Sequence, residues 1–133
     1  MIALPTAVET IRVLLVEDDK DVNNFLTTLL MTKKIMIHEK RAGIEDAIKR
    51  FDPHVIILDY LLSDGDALGI LRDIRPYIKL SIPVIFTAIK IPDPIKTQLY
   101  ISGAMNIIQK PCSICTLESV IENYYEVSLK YRS

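Results

Sequence analysis

Three short apolar runs, Val13-Leu14-Leu15-Val16, Val55-Ile56-Ile57-Leu58 and Pro83-Val84-Ile85-Phe86, punctuate the chain, and a fourth, Asn106 to Gln109, carries Ile107 and Ile108 between polar ends. Continuous runs of this length suit parallel strands buried on both faces. Periodicity alone does not separate them from pieces of buried helix, and length and flanking polar residues decide for strands. Between them the spacing changes to three and four residues. Val22, Phe25, Leu26, Leu29 and Leu30 form one such stripe and Ile44, Ala47, Ile48 and Phe51 another, which predicts two amphipathic helices.

A third helix is expected from about Asp66 through Leu68, Leu71 and Ile74, stopping near Pro76. A fourth begins with Asp93 as N-cap and Pro94 at the first helical position and ends at Gly103; a fifth runs from about Ser113 through Leu117, Val120, Ile121 and Tyr124. With a second strand at Ile35 to Glu39, strand and helix alternate five times. That order predicts an α/β fold, a doubly wound five-stranded parallel sheet between two layers of helices. At 133 residues the chain is read as one domain, 1–133, with residues 1–10 as a loose leader.

Composition narrows the setting. A net charge of −1 supplies no basic field for nucleic acid or an anionic membrane, and the pairs Lys33-Lys34 and Lys40-Arg41 read as solvated turns. No apolar stretch approaches the ~18 residues a membrane span needs. The first ten residues lack the basic start and apolar core of a signal peptide, so a cytoplasmic protein is expected.

The chemistry lies where the strands end. Glu17, Asp18 and Asp19 follow the first run, Asp59 the second, Thr87 and Ala88 the third, and Lys110 the last. In open α/β sheets ligands bind beyond the carboxyl ends of the strands, where the strand order reverses, so an order 2-1-3-4-5 would collect these groups in one cleft. Glu17, Asp18 and Asp59 there repel one another by about 4 kcal/mol per pair at 4 Å and an effective dielectric near 20. A divalent cation removes that penalty, and a small set of hard oxygen ligands with room for water favours Mg²⁺. A lysine ammonium and a threonine hydroxyl complete a phosphoryl site, and Asp59, already ionised at neutral pH, could attack phosphorus without a general base.

These motifs resemble the receiver domain of two-component response regulators: Val16-Glu17-Asp18, Asp59-Tyr60-Leu61-Leu62-Ser63-Asp64-Gly65-Asp66, Thr87-Ala88, Gly103-Ala104 and Lys110-Pro111, in order from Arg12 to about Leu129. The resemblance implies a flavodoxin-like fold with Asp59 as phosphoacceptor. It implies Asp18, Asp59 and the Leu61 backbone carbonyl as Mg²⁺ ligands, with Glu17 acting largely through water. Thr87 would be the switch hydroxyl, Lys110 the phosphoryl-contacting lysine, and Leu61, Ala88 and Ile89 the residues lining phosphoryl access. It further implies a sensor histidine kinase or histidine phosphotransfer protein as donor, an output partner of unspecified kind, and no enzymatic activity beyond the domain's own phosphorylation and dephosphorylation. Tyr100, Tyr124 and Tyr125 offer aromatic area for core packing, a partner or a homodimer contact.

Departures from the family pattern are also legible. Ser63 replaces a common proline, Ala67 a common glycine, and Ile107 stands where a Tyr or Phe usually serves as the second switch residue; the loop before the fourth helix is unusually apolar at Ile89 and Ile91. Other readings explain less. A haloacid dehalogenase-type phosphatase needs a second Asp at position 61, which is Leu; a receiver-like scaffold that binds partners without phosphate leaves the carboxylates, Thr87 and Lys110 without a task. Cys112 and Cys115 have the spacing of a redox or zinc motif, but with His38 and His54 beside other strands they are read as ordinary thiols. Asp19 or Asp21 is expected to cap the first helix, and Asp64 and Asp66 are read as turn and cap residues.

Overall fold

The computed structural model describes residues 9–110 and 114–132. Five parallel strands form its sheet: β1 (Arg12–Val16), β2 (Lys34–His38), β3 (Val55–Leu58), β6 (Ile82–Thr87) and β7 (Asn106–Gln109), in the spatial order β2-β1-β3-β6-β7. Two short strands, β4 (Leu61–Leu62) and β5 (Gly65–Asp66), make a separate antiparallel hairpin. Setting that hairpin aside, the order is the expected 2-1-3-4-5.

Five helices fill the crossovers: α1 (Lys20–Leu29), α2 (Ile44–Phe51), α3 (Ala67–Ile74), α4 (Asp93–Ile101) and α5 (Ile114–Arg132), with a 3₁₀ turn at Arg75–Tyr77 after α3. Successive strand residues face opposite sides, and the apolar runs therefore feed two cores. Leu14, Val16, Ile56, Leu58 and Ile85 pack against Ile44, Ile48, Ile70, Leu71 and Leu99 from α2, α3 and α4. Val13, Leu15, Val55, Ile57, Val84 and Phe86 pack against Leu26 and Leu30 at α1 and Leu117 and Ile121 of α5. The three central strands are buried except at Arg12, whereas β2 and β7, at the edges, are only partly covered.

The helix boundaries follow local chemistry. Asp19 is the N-cap of α1, accepting the amides of Asp21 and Val22, and Asp66 caps α3 by accepting the Gly69 amide. Pro92, rather than Asp93, is the cap residue of α4, and Asp93 is its first helical residue. Gly103 ends that helix at φ +118, a conformation that favours glycine, and the following amide of Ala104 donates to Leu99 O at 3.0 Å.

Some details depart from the sequence pattern. Phe25, spaced for the core, is 57% exposed, and α1 is held instead by Leu26, Leu30 and the half-buried Val22. Strand β2 begins one residue earlier than expected, at Lys34. Of the leader, residues 1–8 lie outside the described residues, but Glu9 is docked, its side chain pairing with Arg12 and its carbonyl accepting from the Tyr125 hydroxyl. Among the described residues no helix is long and apolar enough to cross a membrane.

Candidate functional site

Register brings the strand ends together. Val16 pairs with Leu58 and Leu58 with Ile85, so β1, β3 and β6 are level, while Thr87 pairs with Gln109. The ladder continues one step past each strand: Glu17 N donates to His38 O, Asp59 N to Val16 O at 3.0 Å and Lys110 N to Thr87 O at 2.6 Å. The side chains of Glu17, Asp18, Asp59, Thr87 and Lys110 consequently line one cleft, with Leu61, Ala88 and Ile89 around them. It opens beside β1, where the strand order reverses.

Glu17, Asp18 and Asp59 each present a carboxylate oxygen within 4.8 Å of the others, the one such group among the described residues suited to a metal ion. Lys110 Nζ lies 2.7 Å from Glu17 Oε1 and 3.9 Å from Asp59 Oδ1. Glu17 is only 2% exposed, and its second oxygen, Oε2, is buried without a hydrogen-bond partner. Burial pushes its pKa up to about 7, reinforced by the neighbouring Asp59 carboxylate and opposed by Lys110. Hard oxygen donors crowded together, one of them orphaned in the interior, fit a Mg²⁺ ion.

Supporting contacts set these groups in place. The Ser63 amide donates to Asp18 Oδ2 at 3.0 Å, and Asn23 Nδ2 donates to the Glu17 carbonyl at 2.9 Å. Thr87 is buried, and its Oγ1 accepts the Ile89 amide at 3.2 Å, so the hydroxyl is engaged by its own loop. Ile107 is half-buried on β7, paired with Ile85 and packed against the core beneath α4.

The cleft thus gathers every side chain that the strand-end pattern singles out, with Ile107 set apart on the neighbouring face. Asn23 and Arg41 are the residues that pattern misses. Asn23 is a buried polar residue on the apolar face of α1, and its position three residues before Leu26, in register with the stripe, is its only signal in the sequence. Arg41 lies in the turn after β2 as expected, but its half-exposed guanidinium pairs with Asp73 on α3. His54 is fully buried at the opposite end of the sheet, its Nδ1 accepting the Arg12 amide at 2.9 Å. His38 Nε2 lies 2.7 Å from the Ala42 carbonyl. Cys112 lies outside the described residues, and Cys115 belongs to the first turn of α5.

Known proteins resemble this chain in sequence and fold. The chain is 32% identical over 111 residues to the KDP operon transcriptional regulatory protein KdpE of Escherichia coli (strain K12), a match covering 80% of this chain and 48% of that protein. It thus spans about half the length of the curated relative it matches. A CheY-like response regulator receiver domain protein from Methanospirillum hungatei JF-1 superposes with a TM-score of 0.84 at 17% identity, covering 92% of this chain and 98% of the other. The BeF3-activated N-terminal receiver domain of Klebsiella pneumoniae RstA gives 0.78 at 22% identity, over 86% and 97%. These two likenesses establish the fold. Residues 13–122 match the response regulator receiver domain family, and the chain, with its flavodoxin-like sheet and its cleft at the strand ends, therefore belongs to that family of two-component signalling domains.

Proposed function

We propose that this chain is a phosphoacceptor switch in which Asp59 takes a phosphoryl group from a phosphohistidine of a sensor histidine kinase or histidine phosphotransfer protein. The observation that carries this reading is the gathering of Glu17, Asp18 and Asp59 within 4.8 Å, with Lys110 beside two of them. An Asp59 carboxylate oxygen attacks phosphorus while the phosphorus–nitrogen bond of the donor breaks, its electron pair remaining on the imidazole nitrogen. Asp18, Asp59, the Leu61 carbonyl and, largely through water, Glu17 would hold Mg²⁺, which neutralises the clustered carboxylates and the charge on the phosphoryl oxygens. Lys110 exchanges its pairing with Glu17 for a phosphoryl oxygen, and Thr87 turns its hydroxyl hydrogen from the Ile89 carbonyl to another phosphoryl oxygen. Leu61, Ala88 and Ile89 frame the entrance.

The domain catalyses only its own phosphorylation and dephosphorylation. Residues 1–133 form one receiver unit acting in the cytoplasm, and the phosphorylated state signals to an effector or a second copy of the chain rather than to nucleic acid or membrane directly. Intact-mass measurement after acetyl phosphate or phosphoramidate treatment tests the assignment. One phosphate should be added with Mg²⁺ and none after its removal by EDTA, and Asp59→Asn should abolish labelling while leaving the fold intact. Undiminished labelling of that variant would move the acceptor elsewhere.

A further inference from the structure

Between Asp59 and α3 the chain makes the β4–β5 hairpin, and a strap from the end of β2 grips its tip. The carboxylate of Asp64 accepts the Arg41 amide at 2.8 Å on Oδ1 and 3.0 Å on Oδ2, and the Ala42 amide at 3.3 Å. Arg41 then reaches over the hairpin, and its Nε donates to Asp73 Oδ2 at 3.0 Å on α3. Two glycines make room for it: a Cβ on Gly65 would stand 2.8 Å from Arg41 Cδ, and one on Gly69 3.3 Å from Nη1. The backbone hydrogen bonds from Arg41, first of all, hold the Asp64 carboxyl below its usual range. The residue before Asp64 is Ser63, whose amide grips Asp18, and Leu61 lies on the first arm of the same hairpin.

We infer that Asp64 and Arg41 form a clasp that positions the acceptor loop, holding the Ser63 amide against Asp18 and Leu61 beside the carboxylate cluster. Neither residue touches the cluster itself; both act through the loop. The physical reason is the shortness of the hairpin. Two pairs of residues, Leu61 with Asp66 and Leu62 with Gly65, are too few to hold a fixed geometry in water, so the position of its arm depends on an outside anchor. Opening the clasp should lower cation affinity without dismantling the sheet, because groups that orient a metal's ligands typically control about 10-fold or more of its affinity.

This inference rests on the reading of Glu17, Asp18 and Asp59 as a Mg²⁺-assisted acceptor site. Its test uses Asp64→Ala, Asp64→Asn, which keeps an acceptor oxygen, and Gly65→Ala, which drives a Cβ into Arg41 from beneath. Three readouts are taken on each 133-residue variant: calorimetric binding of MgCl2, exchange of the Ser63 amide by NMR, and labelling by saturating acetyl phosphate across a MgCl2 series. In Asp64→Ala the Ser63 amide should exchange faster, and Mg²⁺ binding and the Mg²⁺ concentration for half-maximal labelling should weaken by about 10-fold. The labelling rate at saturating Mg²⁺ should change far less, a split that general loss of stability would not produce. Asp64→Asn should recover most of the loss, and Gly65→Ala should move in the same direction as Asp64→Ala and decides the matter should the latter not fold. Wild-type Mg²⁺ affinity and Ser63 exchange in a folded Asp64→Ala or Gly65→Ala would overturn the clasp. A wild type that binds Mg²⁺ yet takes no phosphate would overturn the acceptor reading alone, the binding and exchange arms still deciding the clasp.

Discussion

Leu61 and Ile89 stand at the rim of the cleft, 52% and 43% exposed, and present hydrocarbon where a polar side chain could hold a water molecule. In receiver domains the positions two beyond the acceptor and two beyond the switch threonine line the path of the water that hydrolyses the aspartyl phosphate. An apolar rim gives that water no partner to orient it, so a persistent phosphate is expected. Replacing both residues by polar ones, Leu61→Asn with Ile89→Glu, should speed phosphate loss about tenfold, or ~1.4 kcal/mol of barrier, measured by decay of the phosphorylated mass after donor removal. Unchanged decay in the double variant would show that water reaches phosphorus without regard to the rim. At this scale the chemistry of the cleft is legible in the sequence because each group follows its strand directly. Arg41 is not, because its partners Asp64 and Asp73 lie 23 and 32 residues away and nothing local announces them.

At the scale of elements, legibility tracks burial. The runs Val13–Val16 and Val55–Leu58 read plainly as strands because both of their faces are covered, whereas the partly exposed β2 shifts by a residue from its expected start. The β4–β5 hairpin leaves no sequence pattern, since strands of two residues have no periodicity and owe their place to tertiary contacts. Beside the cleft, the loop before α4 is tied down at two points: the Ile89 amide is held by Thr87 Oγ1, and Ile91 is 2% exposed while the Ile89 and Lys90 side chains are exposed; α4 itself buries Leu99. A segment pinned at so few places moves at small cost. Ile107 lacks the length and polar tip with which an aromatic residue swings between exposed and buried positions. Beryllofluoride with Mg²⁺ should therefore shift the amide resonances of residues 88–102 more than those around Ile107, as read from a two-dimensional NMR spectrum. Larger shifts centred on Ile107 with a silent loop would restore the ordinary aromatic-type switch.

Across the whole molecule, two buried ionisable groups at opposite ends of the sheet oppose each other in their effect on stability. Glu17 at the carboxyl end is raised from 4.5 to about 7, so between those values the folded chain holds more proton there than the unfolded chain, and stability falls as pH rises. His54 at the amino end is lowered from 6.5 to about 4, by burial first and then by the charges of Arg12 and Arg132. The folded chain holds less proton there, so that contribution is present above 6.5 and lost as pH falls towards 4. In Mg²⁺-free buffer the two slopes should partly cancel between about pH 4.5 and 6.5. Glu17→Gln should expose a melting temperature that rises with pH over that window, and His54→Gln one that falls up to about pH 7. Parallel pH profiles for the wild type and both variants, followed by circular dichroism, would show that neither site is coupled to folding as described.

The amino end of the sheet carries one further consequence. Arg132, at the end of α5, donates to Asp52 Oδ2 at 2.7 Å, Pro53 O at 2.8 Å and Leu80 O at 3.1 Å, while Arg12 reaches the Asp52 carbonyl at 2.9 Å and pairs with Glu9. Residues 9 and 132 are thereby moored to the same pole, and the carboxylate cleft faces the other. A fluorescent label attached at position 9 or 132 sits at the pole opposite the carboxylates, and a molecule held on a sensor chip through either position keeps its carboxylate cleft turned towards the flowing solution.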